Sequence, residues 1–163
     1  MRWEDKMGRP TSFGDEQFKG ITSESTFEAD LVFVIMSFSK DLDDSYIAIK
    51  DECIKLNLNC IRVDETVGSG VVLKKIHDLI ERAEFIIVDL TNERPNVYYE
   101  LGYAHGIGNL ENEILIVAKE GTELHFDIAL LSVKYYGSTE QLRKLINRNL
   151  RHMIDVTRQV QYL

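Results

Sequence analysis

Two acidic side chains between residues 89 and 109, DLTNERPNVYYELGYAHGIGN, have the types and spacing that could break a glycosidic bond. Asp89 ends an apolar run, and Glu100 follows in a segment with helical spacing. Such cleavage needs one carboxylate that stabilises or attacks the anomeric carbon as positive charge builds there, and a second group that handles a proton. In the alternative, structural interpretation, Asp89 caps the next turn and Glu100 is a solvated helical residue. Spacing alone leaves both interpretations open.

A short helix must carry the second of these acids. The residues TNERP break the apolar pattern, and Asn96 is the expected N-cap of a helix that lasts until Gly106 or Gly108. On that helix Asn96, Glu100 and Tyr103 fall at positions i, i+4 and i+7, so they share one face. Polar groups aligned in this way beside a strand-end aspartate indicate a pocket rather than bulk solvent.

A glycine loop and a serine turn are further candidates for the rim of that pocket. Gly68, Ser69 and Gly70 precede a predicted helix, whose first backbone N–H groups favour a phosphate. A flexible loop is the alternative, because the chain has neither GxGxxG nor GxxxxGK[ST]. Ser37 follows the first apolar run and is either a phosphate donor or a helix-entry residue.

Apolar runs predict five strands, at residues 30–36, 60–63, 85–89, 113–118 and 132–136. Helical spacing predicts helices between these strands, at residues 43–58, at residues 72–83 and from residue 96. Residues 121–127 form a predicted loop, and Ser138 is the predicted N-cap of a final helix. This alternation implies βαβ units with right-handed crossovers, and hence a parallel sheet between layers of helices. Ligands bind such sheets at the carboxyl ends of the strands. That rule gathers at one rim Ser37, Phe38, Asp64, Glu65, residues 68–70, Asp89 and the helix from Asn96 to Tyr103.

Length and charge narrow the function classes. A chain of 163 residues most simply forms one domain. Its net charge of -8 argues against an extended nucleic-acid-binding surface, which needs clustered Lys and Arg. The start of the chain lacks the apolar core of a signal peptide, and no stretch approaches the roughly 20 apolar residues of a membrane span. We therefore expect a cytoplasmic protein with neither a nucleic-acid polymer nor a membrane as partner.

The chain divides into three predicted parts: a polar N-terminal arm at residues 1–29, an α/β domain at 30–155 and a C-terminal tail at 156–163.

The four histidines lie in different elements without HExxH spacing, so we predict no metal site, and we expect no cofactor. Cys53 and Cys60 form no CxxC motif and are predicted to be core thiols.

The segment PNVYYELGYAHGIGN, following IIVDLTN, resembles the signature of the nucleoside 2-deoxyribosyltransferase-like superfamily, especially its short bacterial branch of predicted nucleotide-binding, TIR-like proteins. The resemblance covers roughly residues 31–138 and includes FVIMSFSKDLDD, CIRVDETVGSG, IHDLIERAEF and LHFDIALLSVKYYGS. It implies a flavodoxin-like or Rossmann-like three-layer α/β sandwich with a parallel five-stranded sheet.

The resemblance also implies an activity, which is cleavage of an N-glycosidic bond, by hydrolysis or glycosyl transfer, in a small nucleotide-type substrate such as a nucleoside monophosphate or NAD. Glu100 would be the nucleophile or the carboxylate that stabilises the cationic sugar, and Asp89 would contact the sugar or assist the departing base. Ser37, Phe38 and residues 68–70 would line the nucleotide pocket, and Asn96 would help to order the site.

One departure from the family pattern bears on the reaction. The true transferases have a tyrosine or a glycine-rich turn after the first strand, whereas this chain has Met36-Ser37-Phe38, which favours hydrolysis or simple binding. Family members often complete the site from a neighbouring subunit, so a homodimer or higher homo-oligomer is implied. The alternative function is a non-catalytic nucleotide-binding sensor that signals to a partner.

Overall fold

The computed structural model describes residues 27–63 and 69–159, with only the main chain described at 69–71 and 129. Strands and helices alternate within these ranges. The strands are β1 (Glu28–Ile35), β2 (Asn59–Ile61), β3 (Ala83–Asp89), β4 (Ile114–Lys119) and β5 (Val133–Tyr136). The helices are α1 (Asp43–Lys55), α2 (Ser69–Arg82), α3 (Pro95–Gly106), α4 (Phe126–Ala129) and α5 (Thr139–Gln159), and a 3-10 turn at Lys40–Leu42 precedes α1.

The sheet is entirely parallel, with the strand order β2-β1-β3-β4-β5. This is the flavodoxin-like order of a doubly wound α/β fold, and it confirms the parallel five-stranded sheet predicted from the sequence. The order reverses between β1 and β3, since β2 lies on one side of β1 and all later strands lie on the other. Ligands of such folds bind in the crevice at the carboxyl ends of the strands at this reversal.

Apolar strand residues fill both faces of the sheet because helices cover both faces. Val32 and Val34 pack in the layer that holds α1 and α5, whereas Phe33 and Ile35 pack in the layer that holds α2 and α3. All four side chains are almost completely buried. A buried aromatic such as Phe33 contributes about 3–5 kcal/mol to stability relative to alanine, so these runs fix which face of each strand meets which helices.

Helix α1 ends at Lys55, although the sequence predicts that it continues to Leu58. Asn57 takes the left-handed conformation with φ 57°. The Leu58 N–H donates to the Cys53 carbonyl oxygen at 2.9 Å, and the Asn57 N–H donates to the Ile54 carbonyl oxygen at 3.0 Å. This is a Schellman arrangement, in which a left-handed residue closes the helix and satisfies its last carbonyl groups.

The N-cap of α3 differs from the predicted one, whereas the N-cap of α5 agrees with the prediction. Helix α3 begins at Pro95 with Arg94 as N-cap, so the N-cap predicted at Asn96 is wrong. Proline suits this position because it has no N–H to leave unsatisfied and its φ is already helical. At the start of α5, the Gln141 N–H donates to Ser138 Oγ at 3.2 Å, which confirms the predicted cap.

Two predicted boundaries differ from the structure near the end of the chain. Residues 126–129 form the short helix α4, although the sequence predicts a loop through residue 127. Helix α5 continues to Gln159, so residues 156–159 of the predicted tail are helical, with Thr157 buried. Most of the predicted arm and residues 160–163 lie outside the described residues. Neither α5 nor any other described helix is both long and apolar enough to cross a membrane.

Ion pairs between Arg158 and two acidic residues, of which only Glu84 is buried, fasten α5 to the amino end of the sheet. Arg158 Nη2 lies 3.1 Å from Glu84 Oε2 and 2.6 Å from Asp30 Oδ1. Glu84 is 4% exposed and also accepts the Asp30 N–H at 2.7 Å. Asp30 has φ 65°, where the pairing of β1 with β3 shifts register. These contacts lie at the end of the sheet opposite to the carboxyl edge, so they hold the frame rather than a ligand.

Candidate active site

A narrow cleft lies at the carboxyl edge of β1, next to the reversal in strand order. Its walls come from the end of β1, the residues after β1 and β2, and one face each of α2 and α3: Phe33, Val34, Ile35, Met36, Phe38, Val63, Ile76, Asn96 and Glu100. The cleft has a volume of about 10 Å³, which is room for one water molecule. The topology therefore places a mostly apolar crevice where ligands of this fold bind.

Glu100 is the acidic residue of this cleft. It lies one helical turn after Asn96 on α3, and both side chains line the cleft, in agreement with their predicted common face. Glu100 is only 7% exposed, so the alternative of a solvated helical glutamate does not apply. A carboxylate held among apolar walls interacts more strongly with a positive charge than one in water does. A buried carboxylate of this kind can stabilise a positive charge that develops beside it.

Tyr103, the third residue of the predicted polar face, does not line the cleft in the described structure. Its hydroxyl donates to Glu81 on α2, and its ring stacks on His77 with centroids 3.9 Å apart and planes 8° apart. Burial, reinforced by the hydrogen bond to Glu81, raises the pKa of Tyr103 above its usual range. The helix rises about 1.5 Å per residue, so Tyr103 lies further along the axis than Glu100 and meets α2 instead.

Asp89 is completely buried on the other face of the sheet. Its Oδ1 accepts the Thr91 N–H at 2.9 Å, and its Oδ2 accepts the Tyr136 O–H at 2.7 Å. The Tyr136 oxygen is also 3.2 Å from Ser45 Oγ on α1, on the side of the sheet away from α3. Burial raises the pKa of Asp89, and the hydrogen bonds from Thr91 and Tyr136 oppose that shift. The structure therefore does not bring Asp89 and Glu100 together as a pair.

The turn after Asp89 explains what this carboxylate does. Asn92 and Glu93 are both left-handed, with φ 70° and φ 42°, which is unfavourable for residues other than glycine. The Asp89 side chain closes the turn through the Thr91 N–H, and Thr91 Oγ accepts the Lys119 N–H at 2.9 Å from the end of β4. Asp89 thus caps a turn, as in the structural interpretation, and fixes where α3 begins.

The remaining predicted site residues have different positions. Phe38 lines the cleft and is 36% exposed, whereas Ser37 is buried and does not line the cleft as described. Ser69 and Gly70 are the first two residues of α2. Asp64 and Gly68 lie outside the described residues.

Arg62 is a residue of this edge that the sequence did not single out. It follows β2 directly, and its guanidinium lies 4.9 Å from the Phe38 ring centroid and 4.1 Å from that of Tyr46. Burial of an arginine after an apolar strand leaves no signal in a single sequence, because most arginines at such positions are solvated.

The two cysteines lie in the hydrophobic core and not in the wall of the cleft. Cys53 and Cys60 are buried free thiols, as predicted for core residues. Across 27–63 and 69–159, no cluster of three or more histidine, cysteine, aspartate or glutamate residues is arranged to hold a metal ion.

Comparisons with known proteins establish the fold. No family model and no curated protein matches the sequence. A variant of the flavo di-iron protein from Thermotoga maritima superposes with a TM-score of 0.59 at 14% identity, covering 79% of this chain and 37% of that one. This chain thus spans little more than a third of the length of that protein.

A second similar structure is close to this chain in length. The CMP N-glycosidase BcmB from Clostridium botulinum superposes with a TM-score of 0.54 at 18% identity, and the match covers 71% of this chain and 96% of that one. At this identity the likeness shows that the two chains share a fold.

Proposed function

We propose that this protein cleaves the N-glycosidic bond of a small nucleotide-type substrate, such as a nucleoside monophosphate or NAD, with Glu100 as the catalytic carboxylate. The observation that carries the proposal is the burial of Glu100, 7% exposed, in the cleft at the reversal in strand order. The sequence resemblance around Glu100 and the shared fold with a CMP N-glycosidase support the same chemistry.

In this mechanism the bond from C1′ of the sugar to the base nitrogen breaks, and its electron pair leaves with the base. The positive charge left on C1′ and the ring oxygen is stabilised by the Glu100 carboxylate, which acts either as a counter-charge or by forming an ester to C1′. A water oxygen then bonds to C1′, and where an ester has formed, the bond from C1′ to the Glu100 oxygen breaks and frees the carboxylate. One proton of that water goes to a base that leaves as an anion, as from a nucleoside monophosphate, or to the solvent when the base leaves neutral, as nicotinamide leaves NAD. In a transfer reaction a second base takes the place of the water.

Substrate entry requires a wider cleft than the described one. A nucleoside is many times larger than the single water molecule for which the cleft has room. Phe38 is the partly exposed aromatic residue of the cleft wall, and we assign to it the movement that admits the substrate. Its ring would then be available to stack on the base or sugar.

Asp89 has an indirect role in this proposal. Since it is 0% exposed and faces α1, it acts as a positioning residue that holds the turn before α3 rather than as a group that touches the sugar. Asn96, which precedes Glu100 by one turn and lines the same cleft, is the better placed partner for a sugar hydroxyl.

A substrate panel tests the proposal and separates it from a non-catalytic sensor. The protein is incubated at high concentration with nucleosides, nucleoside monophosphates and NAD, and free base is measured by chromatography alongside the ligand-induced change in melting temperature. Release of base from at least one substrate is expected. If a ligand raises the melting temperature but no base appears, the protein is a sensor and the catalytic proposal is wrong.

A further inference from the structure

A short arch, residues 37–42, follows β1 and carries one wall of the cleft. Ser37 is 5% exposed and Leu42 is 0% exposed, so both ends of the arch are anchored in the core. Phe38, which lines the cleft, lies between these ends, together with the 3-10 turn at Lys40–Leu42. The position of Phe38 therefore depends on the contacts that fasten the arch between its two buried ends.

The Asn92 side chain fastens the arch from the turn after β3. Its Nδ2 donates to Ser39 Oγ at 2.9 Å and to Asp41 Oδ2 at 3.2 Å. Because a carboxylate only accepts hydrogen bonds, the Asn92 amide must present its nitrogen to Asp41, and its two N–H groups match these two acceptors. At the end of β4, Lys119 Nζ donates to the Asp41 carbonyl oxygen at 3.0 Å, so a second element holds the same part of the arch.

The turn that contains Asn92 is joined to α3. Asn92 and Glu93 are left-handed, with φ 70° and φ 42°. Two such residues in succession are unfavourable, and they persist only where the surrounding contacts hold them. One of these contacts comes from α3, where the Tyr98 O–H donates to Glu93 Oε1 at 3.0 Å. The turn thus links the arch to the helix that carries Glu100, two residues after Tyr98.

We propose that Asn92 is a positioning residue of the reaction, whose side chain holds the cleft wall that carries Phe38 at a fixed distance from the wall that carries Glu100. Asn92 does not itself line the described cleft, so it acts through these two walls and not by touching the substrate. The movement assigned to Phe38 is that of its ring, and the backbone of the arch stays fastened while the substrate enters. This inference rests on the proposed function and adds a residue to it.

Hydrogen exchange of one backbone amide tests whether Asn92 fastens the arch. The Leu42 N–H donates to the Ser39 carbonyl oxygen at 2.9 Å, so it exchanges when the arch opens. Asn92→Gly removes only the side chain, because glycine takes a left-handed φ without steric cost. Exchange of this amide, followed by NMR, should become about three- to tenfold faster, as expected for the loss of exposed hydrogen bonds. In Asn92→Asp a second carboxylate faces Asp41, so exchange should be faster still.

Steady-state base release with the best substrate of the panel tests whether the fastened arch serves the reaction. Asn92→Gly should lower kcat about tenfold, because a wall that is misplaced by about 1 Å misaligns the substrate. KM should change by no more than about threefold, since every group that lines the cleft is still present. A residue with a purely structural role would lower the melting temperature without lowering the kcat of the folded protein.

Asn57→Gly is the matched control, because it makes the same substitution at another left-handed position. Asn57 has φ 57° and is exposed just before β2 begins, at the amino edge of the sheet. Its replacement should leave the exchange of the Leu42 amide, kcat and KM unchanged. Circular dichroism and melting temperature establish that each variant is folded before these measurements.

The outcomes separate this inference from the proposed function. If the Leu42 amide exchanges no faster in Asn92→Gly, the inference is overturned whatever the activity. Faster exchange with an unchanged kcat also overturns it, because the arch is then loosened without an effect on the reaction. Failure of the proposed function is recognised separately, since the wild type then releases no base from any substrate, and Asn92 has no reaction to serve.

Discussion

Replacement of Tyr136 by phenylalanine tests whether the Asp89 network is structural. The substitution removes one hydroxyl, which donates to Asp89 Oδ2 at 2.7 Å and is 3.2 Å from Ser45 Oγ. Asp89 is 0% exposed and Tyr136 is 2% exposed, so water cannot replace the lost donor without rearrangement of the core.

The expected cost follows from the charge and burial of the acceptor. A hydrogen bond to a charged group contributes about 1.5–3 kcal/mol to stability. Of the two hydrogen bonds that the Asp89 carboxylate accepts from Thr91 and Tyr136, the variant keeps only the one from the Thr91 N–H. For a domain of this size, about 2–3 kcal/mol corresponds to a fall in melting temperature of about 5–10 °C. The neighbouring Tyr135 is 46% exposed, so Tyr135→Phe should change stability by no more than about 0.5 kcal/mol.

The cost of Tyr136→Phe should also depend on pH. Burial raises the pKa of Asp89, so its proton is bound more tightly in the folded than in the unfolded protein. Its contribution to stability is therefore fully present below the unfolded pKa and is lost as pH rises through the folded pKa. The Tyr136 hydroxyl favours the charged form, so removing it should cost more above the folded pKa of Asp89 than below it.

Chemical and thermal denaturation of the wild type, Tyr136→Phe and Tyr135→Phe at several pH values measures these effects. The reasoning is refuted if Tyr136→Phe costs no more than Tyr135→Phe, or if its cost does not shrink as pH falls. Base release by folded Asp89→Asn should stay within about tenfold of the wild type, because Asp89 does not line the cleft. A loss of several orders of magnitude would instead mean that Asp89 touches the substrate.

Three further substitutions test the frame around the site. Burial lowers the pKa of His77, so stability should fall as pH drops below about 6.5, and His77→Gln should reduce that slope in pH-dependent denaturation. Arg158→Met leaves Glu84, which is 4% exposed, without its cation. The variant should lower the free energy of unfolding in urea by about 1–2 kcal/mol, a figure already reduced because Arg158 is 39% exposed. Lys144→Met removes an exposed ion pair and should change this free energy almost not at all. Gly121 has φ 86° with open space around it, so Gly121→Ala should destabilise by about 1 kcal/mol through backbone strain alone, measured by melting temperature.

The fold could be predicted from the sequence because burial on both faces makes a parallel strand continuously apolar. Phe33 and Val34 are both buried although they point into opposite layers, and this is why β1 is apolar without alternation. Helix ends were harder to predict. Asn96 has the chemistry of an N-cap, but Pro95 fits the first turn so well that the helix starts before it.

The candidate site could be predicted only in part. Helical spacing placed Asn96 and Glu100 together, since residues four apart in one helix must be neighbours. The side of the sheet on which Asp89 lies could not be predicted in this way, because successive strand residues alternate between faces and the sequence does not say which face α3 covers. Asp89 shares its face with Ile87, in the layer of α1, and thus points away from Glu100.

Arg62 illustrates a second limit on what the sequence can predict about the site. Its neighbours Phe38 and Tyr46 come from different segments of the chain, so the contact depends on tertiary structure and has no local pattern in the sequence.

Release of base by a Glu100→Gln variant tests the central claim most directly. Glutamine keeps the shape of the side chain but removes the charge that would stabilise the cationic sugar, so with the best substrate of the panel we predict a fall of about a thousandfold or more in turnover, with ligand binding retained. Glu81→Gln is the control, because Glu81 is a partly buried acid on α2 that accepts the Tyr103 hydroxyl outside the cleft, and it should keep near wild-type turnover. Undiminished turnover in folded Glu100→Gln would contradict the assignment of Glu100 as the catalytic carboxylate.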